Sequence, residues 1–190
     1  MKRQRFSKRS TEGFTLLEML VVIIMIGVMF AIAAPSWVAF LNNQRVNTAR
    51  NQVFETLRAA QSEAKRTKIN RAVVFDNNSN TPRMATIPVL GDSIDTPKSN
   101  VQNWQTLGNG DIKPGTIKVN SVPAPASQVF DASVLFDTYG NVIKTNNTAL
   151  DTTNGYKIVV GVVSSTNPRR CIAIKTLLGA IQEGADTDCQ

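Results

Sequence analysis

From Phe14 to Ala34 the chain runs through 21 residues with a single charge, Glu18, and no proline. At ~1.5 Å per residue a helix of that length is about 30 Å long, the thickness of a bilayer core, so the pattern predicts a membrane-spanning helix. Gly27 weakens it at mid-span, and Pro35 removes a helical hydrogen bond, so a local bend is expected there. The periodicity then changes. Val46, Ala49, Val53, Leu57, Ala60 and Ala64 recur at spacings of three and four, one face of a helix, with Arg45, Arg58, Gln61, Ser62 and Arg66 on other faces. The predicted element is one helix from about Phe14 to about Lys68, roughly 80 Å long. Its first half is apolar all round and its second half on one side only, so a globular layer should cover that side. Glu63 and Arg66, three apart, are expected to pair for a few tenths of a kcal/mol.

Beyond Lys68 the pattern becomes that of short strands and turns. "RAVVFD" (71–76) opens the strand region, "NNSNTP" is a turn cluster, and "RMATIPVL" (83–90) reads as a strand whose end Pro88 weakens. Residues 91–128, with "GDSIDTPKSN", "GNGDIKPG" and "PAPAS", read as a long variable surface segment holding short strands near Trp104–Leu107 and Ile117–Val122. "QVFDASVLFD" (128–137), the turn "TYGN", "VIK", "YKIVVGVV" (156–163), the turn "SSTNP" and "RRCIAIKTL" (169–177) follow, with Gly179 at a hairpin position before "AIQE". Strands joined by short turns imply an antiparallel sheet with the helix on one face. The expected fold class is α+β. Its expected parts are a leader (1–13), a spanning helix (14–34), an amphipathic continuation (35–69) and a β-rich domain (70–190).

Composition narrows the chemistry. With no histidine in 190 residues, the usual general base, the usual zinc ligand and the Ser-His and Cys-His pairs are missing. Two cysteines cannot close a zinc site unaided, and no cofactor or metal is expected. Asp131, Asp137 and Asp151 are the candidates for a carboxylate site, but Asp137 precedes a turn, where aspartate commonly accepts from local backbone amides, and no enzymatic role is expected. The net charge of +7 is unevenly placed: Lys2, Arg3, Arg5, Lys8 and Arg9 precede the apolar run against a single Glu12. Such a cluster holds its side of the span in the cytoplasm and sends the rest of the chain out. A cleaved secretory signal is the competing reading, but its apolar core is shorter and its small residue follows the core, whereas Gly13 precedes it.

One glutamate inside this span needs an answer, because a carboxylate in lipid costs roughly 2.5 kcal/mol or more and is normally paired or functional. The alternative is that Glu18 lies near one membrane face and reaches the headgroups. A basic leader ending in Gly13, then Phe14-Thr15-Leu16-Leu17-Glu18 and an apolar helix, resembles the type IV prepilins: pilins, minor pilins and the pseudopilins of type II secretion. The resemblance implies that a prepilin peptidase cuts between Gly13 and Phe14 and methylates the new amine of Phe14. It also implies that Glu18 pairs with the terminal amine of a neighbouring subunit. Cleavage would then create the cation that the glutamate needs.

The later stretch "VLFDTYGNV", with "RRCIAI" and "LLGAIQ" after it, resembles the GspH/FimT group of pilin-like proteins. That resemblance implies a β-rich, sandwich-like layer on the helix, a place near the tip of a pilus or pseudopilus, and a part in starting its assembly. The implied partners are the peptidase, other pilins or pseudopilins, and the lipid of the inner membrane. Some FimT-like members bind DNA through an arginine-bearing C-terminal segment. Here Arg169, Arg170 and Lys175, with the cations of the helix, are the candidate phosphate contacts. However, the tail carries Glu183, Asp186 and Asp188 and no arginine, and the group's glycine-arginine pair does not occur, so a solvated face is the plainer reading. Cys171 and Cys189 fall outside the cytoplasm on this topology, where a disulfide can form, as pilin-like proteins often have near the C-terminus. The alternative is a buried Cys171 and a free Cys189 in a frayed tail.

Overall fold

The computed structural model describes residues 13–77, 81–110, 112–125, 129–164 and 168–190, apart from the side chains of 33–35 and 109–110. The basic leader before Gly13, parts of the predicted turns at 77–82, 123–127 and 164–168, and the Pro35 side chain at the expected bend lie outside the described residues. The chain divides into two compact units at the Phe40–Leu41 boundary. The first helix, α1, is assigned over Leu16–Thr67 and so contributes to both.

In the second unit, α1 forms because its apolar positions line one stripe. Val46, Ala49, Val53, Leu57, Ala60 and Ala64 are all buried, as the periodicity predicts. The helix stops at Lys68, which takes a left-handed conformation (φ 55°) while its N–H still donates to the Ala64 carbonyl. The chain thereby doubles back into a strand. This turn redirects the expected ion pair: Glu63 meets Arg71 at 3.0 Å, across the turn, and not Arg66.

Among the described residues nine strands follow: β1 (Asn70–Asp76), β2 (Arg83–Val89), β3 (Gln105–Thr106), β4 (Ile117–Val122), β5 (Ala132–Phe136), β6 (Val142–Thr145), β7 (Tyr156–Val162), β8 (Arg169–Ile174) and β9 (Ile181–Ala185). Pro88 lies inside β2, opposite Arg71 of β1. All the strand pairings are antiparallel, in two sheets where the turn pattern suggests one: β3-β2-β1-β5-β6 and β4-β7-β8-β9. Both contribute to one core with the helical stripe, through Val73, Phe75, Val134 and Phe136 from the first and Val119, Ile158, Val160 and Ile172 from the second.

The five-stranded sheet is apolar on both faces. Its outer residues Ala72, Val74, Ala85, Ile87 and Leu135 pack with Ile94, Val101, Trp104 and Phe130 in a second cluster. The first three of these covering side chains come from the stretch that reads as a variable surface segment, so part of that segment serves as cladding. A buried polar network joins the two sheets. The Tyr156 hydroxyl donates to Asn146 Oδ1 (2.8 Å) and accepts from the Ser133 amide (3.2 Å), while Asn146 Nδ2 donates to Ser121 Oγ (2.9 Å). Burial pushes the Tyr156 phenol well above its ordinary value, so it stays a neutral donor.

Where β1 and β2 meet at one end of the five-stranded sheet, Asp76 is 2% exposed and accepts from Arg83 Nη2 (2.7 Å) and Lys98 Nζ (2.7 Å). Burial pushes this carboxyl up, but the hydrogen bonds and charges of Lys98 and Arg83 together outweigh it and hold it below its ordinary value. A depressed folded-state value stabilises the fold above the ordinary carboxyl value of 3.8, and that contribution is lost as pH falls through the folded-state value. Asp76→Asn is expected to cost about 2 kcal/mol at neutral pH, below the usual cost of breaking a buried pair because both cations are partly exposed. Urea unfolding of both proteins across pH checks it. The gap should close at low pH, and a gap independent of pH would refute the assignment.

Candidate assembly site

Gly13 and Phe14 lie just ahead of α1, and both are exposed. Thr15 caps the helix: its Oγ1 accepts the Glu18 amide at 3.2 Å. Thr15-Leu16-Leu17-Glu18 therefore has the spacing of a capping box, with the glutamate in the first turn where the helix dipole favours an anion. This local role is a signal in the sequence beyond the one charge in an apolar run. The arrangement puts a carboxylate four positions from the residue whose amine cleavage would free.

The helical residues of this first unit hide little of themselves. Phe14 is 74% exposed, and Leu16, Ile23, Met25, Met29, Phe30 and Ile32 are each more than half exposed. The Trp37 and Phe40 rings lie 6.0 Å apart and are exposed as well. This helix is long and apolar enough to cross a membrane, and the large apolar side chains of its first half lie exposed on the chain.

At the other end of the sequence, Cys171 of β8 and Cys189 form a disulfide with Cα atoms 5.5 Å apart. Both are buried and pack with Val159 of β7, so Cys189 is not in a frayed tail. The bridge closes the end of the chain onto β8, and the acidic residues of the tail turn back onto basic partners. Glu183 meets Arg50 at 2.7 Å, and Asp186 meets Arg170 at 3.1 Å, where Arg170 Nε also donates to Asn47 Oδ1 (3.0 Å). Asp186 Oδ1 accepts the Arg169 amide as well (3.0 Å).

The candidate phosphate contacts are thus not brought together as one free basic face. Arg170 is engaged by Asp186 and Asn47, the Arg169 side chain lines a 290 Å³ hollow with Lys118 on the outer face of the four-stranded sheet, and Lys175 is exposed just past β8. On the helix Arg58 stacks on Phe54 (4.3 Å), and Glu63 holds Arg71 of β1. Nor do the three aspartates form a shared site by their contacts. Asp131 accepts the Asn77 amide, Asp137 the amides of Tyr139 and Asn141, and Asp151 that of Thr153, each within its own turn or strand end.

The family model for the prokaryotic N-terminal methylation motif matches residues 8–34. An apolar N-terminal helix followed by antiparallel sheets is a pilin-like fold. Among solved structures, the type IV minor pilin FimU of Pseudomonas aeruginosa is similar with a TM-score of 0.50 at 14% identity, over 80% of this chain and 99% of that one. The minor pseudopilin EpsH of the type 2 secretion system of Vibrio cholerae is similar with a TM-score of 0.44 at 11% identity, over 74% and 97%. No curated protein matches the chain by sequence.

Proposed function

We propose that this protein is a minor pilin or pseudopilin, a structural subunit that prepilin peptidase processes and that then enters a type IV pilus or a type II secretion pseudopilus near its tip, with a part in initiating assembly. The observation that carries the reading is the exposed apolar helix headed by Thr15-Leu16-Leu17-Glu18 directly after Gly13 and Phe14. Before assembly, lipid of the inner membrane covers this surface, with the leader in the cytoplasm and the β-rich domain outside. After assembly, the same surface packs against neighbouring helices, and Glu18 accepts the methylated amine of Phe14 from a neighbour. A site that works by packing and one ion pair needs no reacting group. The minor-pilin reading takes support from the fold shared with FimU, itself a minor pilin.

Mass spectrometry of the protein recovered from cells that carry the peptidase tests the processing step. The expected N-terminus is methylated Phe14, and any other mature terminus contradicts the reading. In a strain lacking the peptidase the leader should remain attached, and the protein should stay in the inner membrane.

A further inference from the structure

The β5–β6 turn and the β8–β9 turn meet beside the last turns of α1. Gln61 Nε2 donates to the Gly140 carbonyl (2.7 Å) and reaches that of Leu178 (3.3 Å), and the Val142 amide donates to the Leu177 carbonyl (2.7 Å). Both turns need their glycines. Gly140 (φ 82°) and Gly179 (φ 73°) are left-handed, and a Cβ on Gly140 would run into the Lys65 side chain, while one on Gly179 would lie 2.5 Å from Gln61 Nε2. These turns are therefore held in place, yet they present large apolar side chains to solvent: Leu178 is 77% exposed, Tyr139 73% and Leu177 53%. Cations border them. Lys68 Nζ sits 5.2 Å from the Tyr139 ring and 3.4 Å from the Thr138 carbonyl, and Lys65 lies over Gly140. Among the described residues neither lysine has an acidic partner, and the nearby Asp137 is occupied by the amides of its own turn.

We propose that Tyr139, Leu177 and Leu178, bordered by Lys65 and Lys68, form a docking surface for a different protein that presents acidic groups around an apolar centre. Charge decides the occupant. A second copy of this chain would set lysines against lysines, and without its leader the chain still has 16 basic residues against 13 acidic ones. Exposed leucines favour a protein over nucleic acid, which offers phosphates and flat bases to such a surface. An apolar centre with tyrosine and a charged rim is the usual anatomy of a protein contact, and turns already held in shape lose little entropy on binding. The surface lies wholly within Leu41–Gln190, so it stands independently of the filament reading.

The test uses the full chain in nanodiscs of uncharged lipid and fluorescence anisotropy of a probe peptide in which glutamates flank a leucine–phenylalanine pair. The expected result is saturable binding that Leu178→Ser and Lys68→Glu each weaken by roughly fivefold or more, with no binding of the same peptide carrying lysines for glutamates. Near-UV circular dichroism confirms that both variants keep the native fold, which exposed positions should allow. Absence of binding, or binding indifferent to both substitutions, would overturn the proposal. So would tighter binding of duplex DNA or of phosphatidylglycerol vesicles through the same lysines.

Discussion

Glu18→Ala should leave the protein in the membrane at wild-type levels and remove it from sheared or purified filaments. The substitution eases insertion, because it takes a carboxylate costing roughly 2.5 kcal/mol or more out of lipid. Assembly is where it does harm, since the neighbour's ammonium would then be buried without an anion, and breaking a buried pair costs about 3–5 kcal/mol. At about 1.4 kcal/mol per factor of ten, docking should fall by roughly two to three and a half orders of magnitude. Glu18 also sits in the first turn of α1, but that local role is worth only ~0.3–1 kcal/mol and cannot account for so large a loss. Thr15→Ala separates the two roles. It removes the cap that accepts the Glu18 amide, at a cost of about 1 kcal/mol, and should reduce incorporation severalfold without abolishing it. Immunoblots of membranes and filaments from the same cells give the answer. Filaments of Glu18→Ala cells with the wild-type content of this protein would sink the ion-pair account.

The second large effect concerns the C-terminal disulfide. Cys171 and Cys189 are 18 positions apart, and opening a loop of that size costs about 3 kcal/mol in the chain-entropy model. For a domain of this size the melting temperature of a double serine variant should drop by about 6–12 °C. The tail's ion pairs will not hold it alone, because Glu183 and Asp186 are both more than a third exposed and such pairs contribute ~1 kcal/mol or less. Amide exchange should therefore accelerate first in β9 and the residues after it, ahead of the core strands β1 and β5. Equal melting of oxidised and reduced wild-type protein would refute this.

Much of the fold is legible in local pattern. The stripe from Val46 to Ala64 is buried as its spacing requires, and the predicted strands appear within a few residues of their expected ends. Other features depend on what the chain meets after it turns. Arg66 is the nearer partner of Glu63 along the helix, but the left-handed Lys68 swings Arg71 back to it. The continuous apolar runs "AVVF" and "VLF" carry a signal that the turn pattern hides: a strand without polar alternation is buried on both faces and needs cover on both. Ile94, Val101 and Trp104 supply that cover, although the polar residues between them make their segment read as surface. The candidate cations were found by type, but their availability was not. Arg50 and Arg170 are taken up by a tail whose acidic residues count, in sequence, only as an argument against phosphate binding.

By itself the sequence determined the leader–glycine–phenylalanine–glutamate spacing, the apolar helix and the amphipathic stripe, because each depends on residues within a few helical turns of one another. Tertiary structure alone decided the split into two sheets, the Tyr156–Asn146–Ser121 network, the pairing of the acidic tail with Arg50 and Arg170, and the meeting of the β5–β6 and β8–β9 turns at Gln61. Those contacts join residues tens of positions apart, and which of them form depends on how the whole core closes, a competition among alternatives that no local periodicity records.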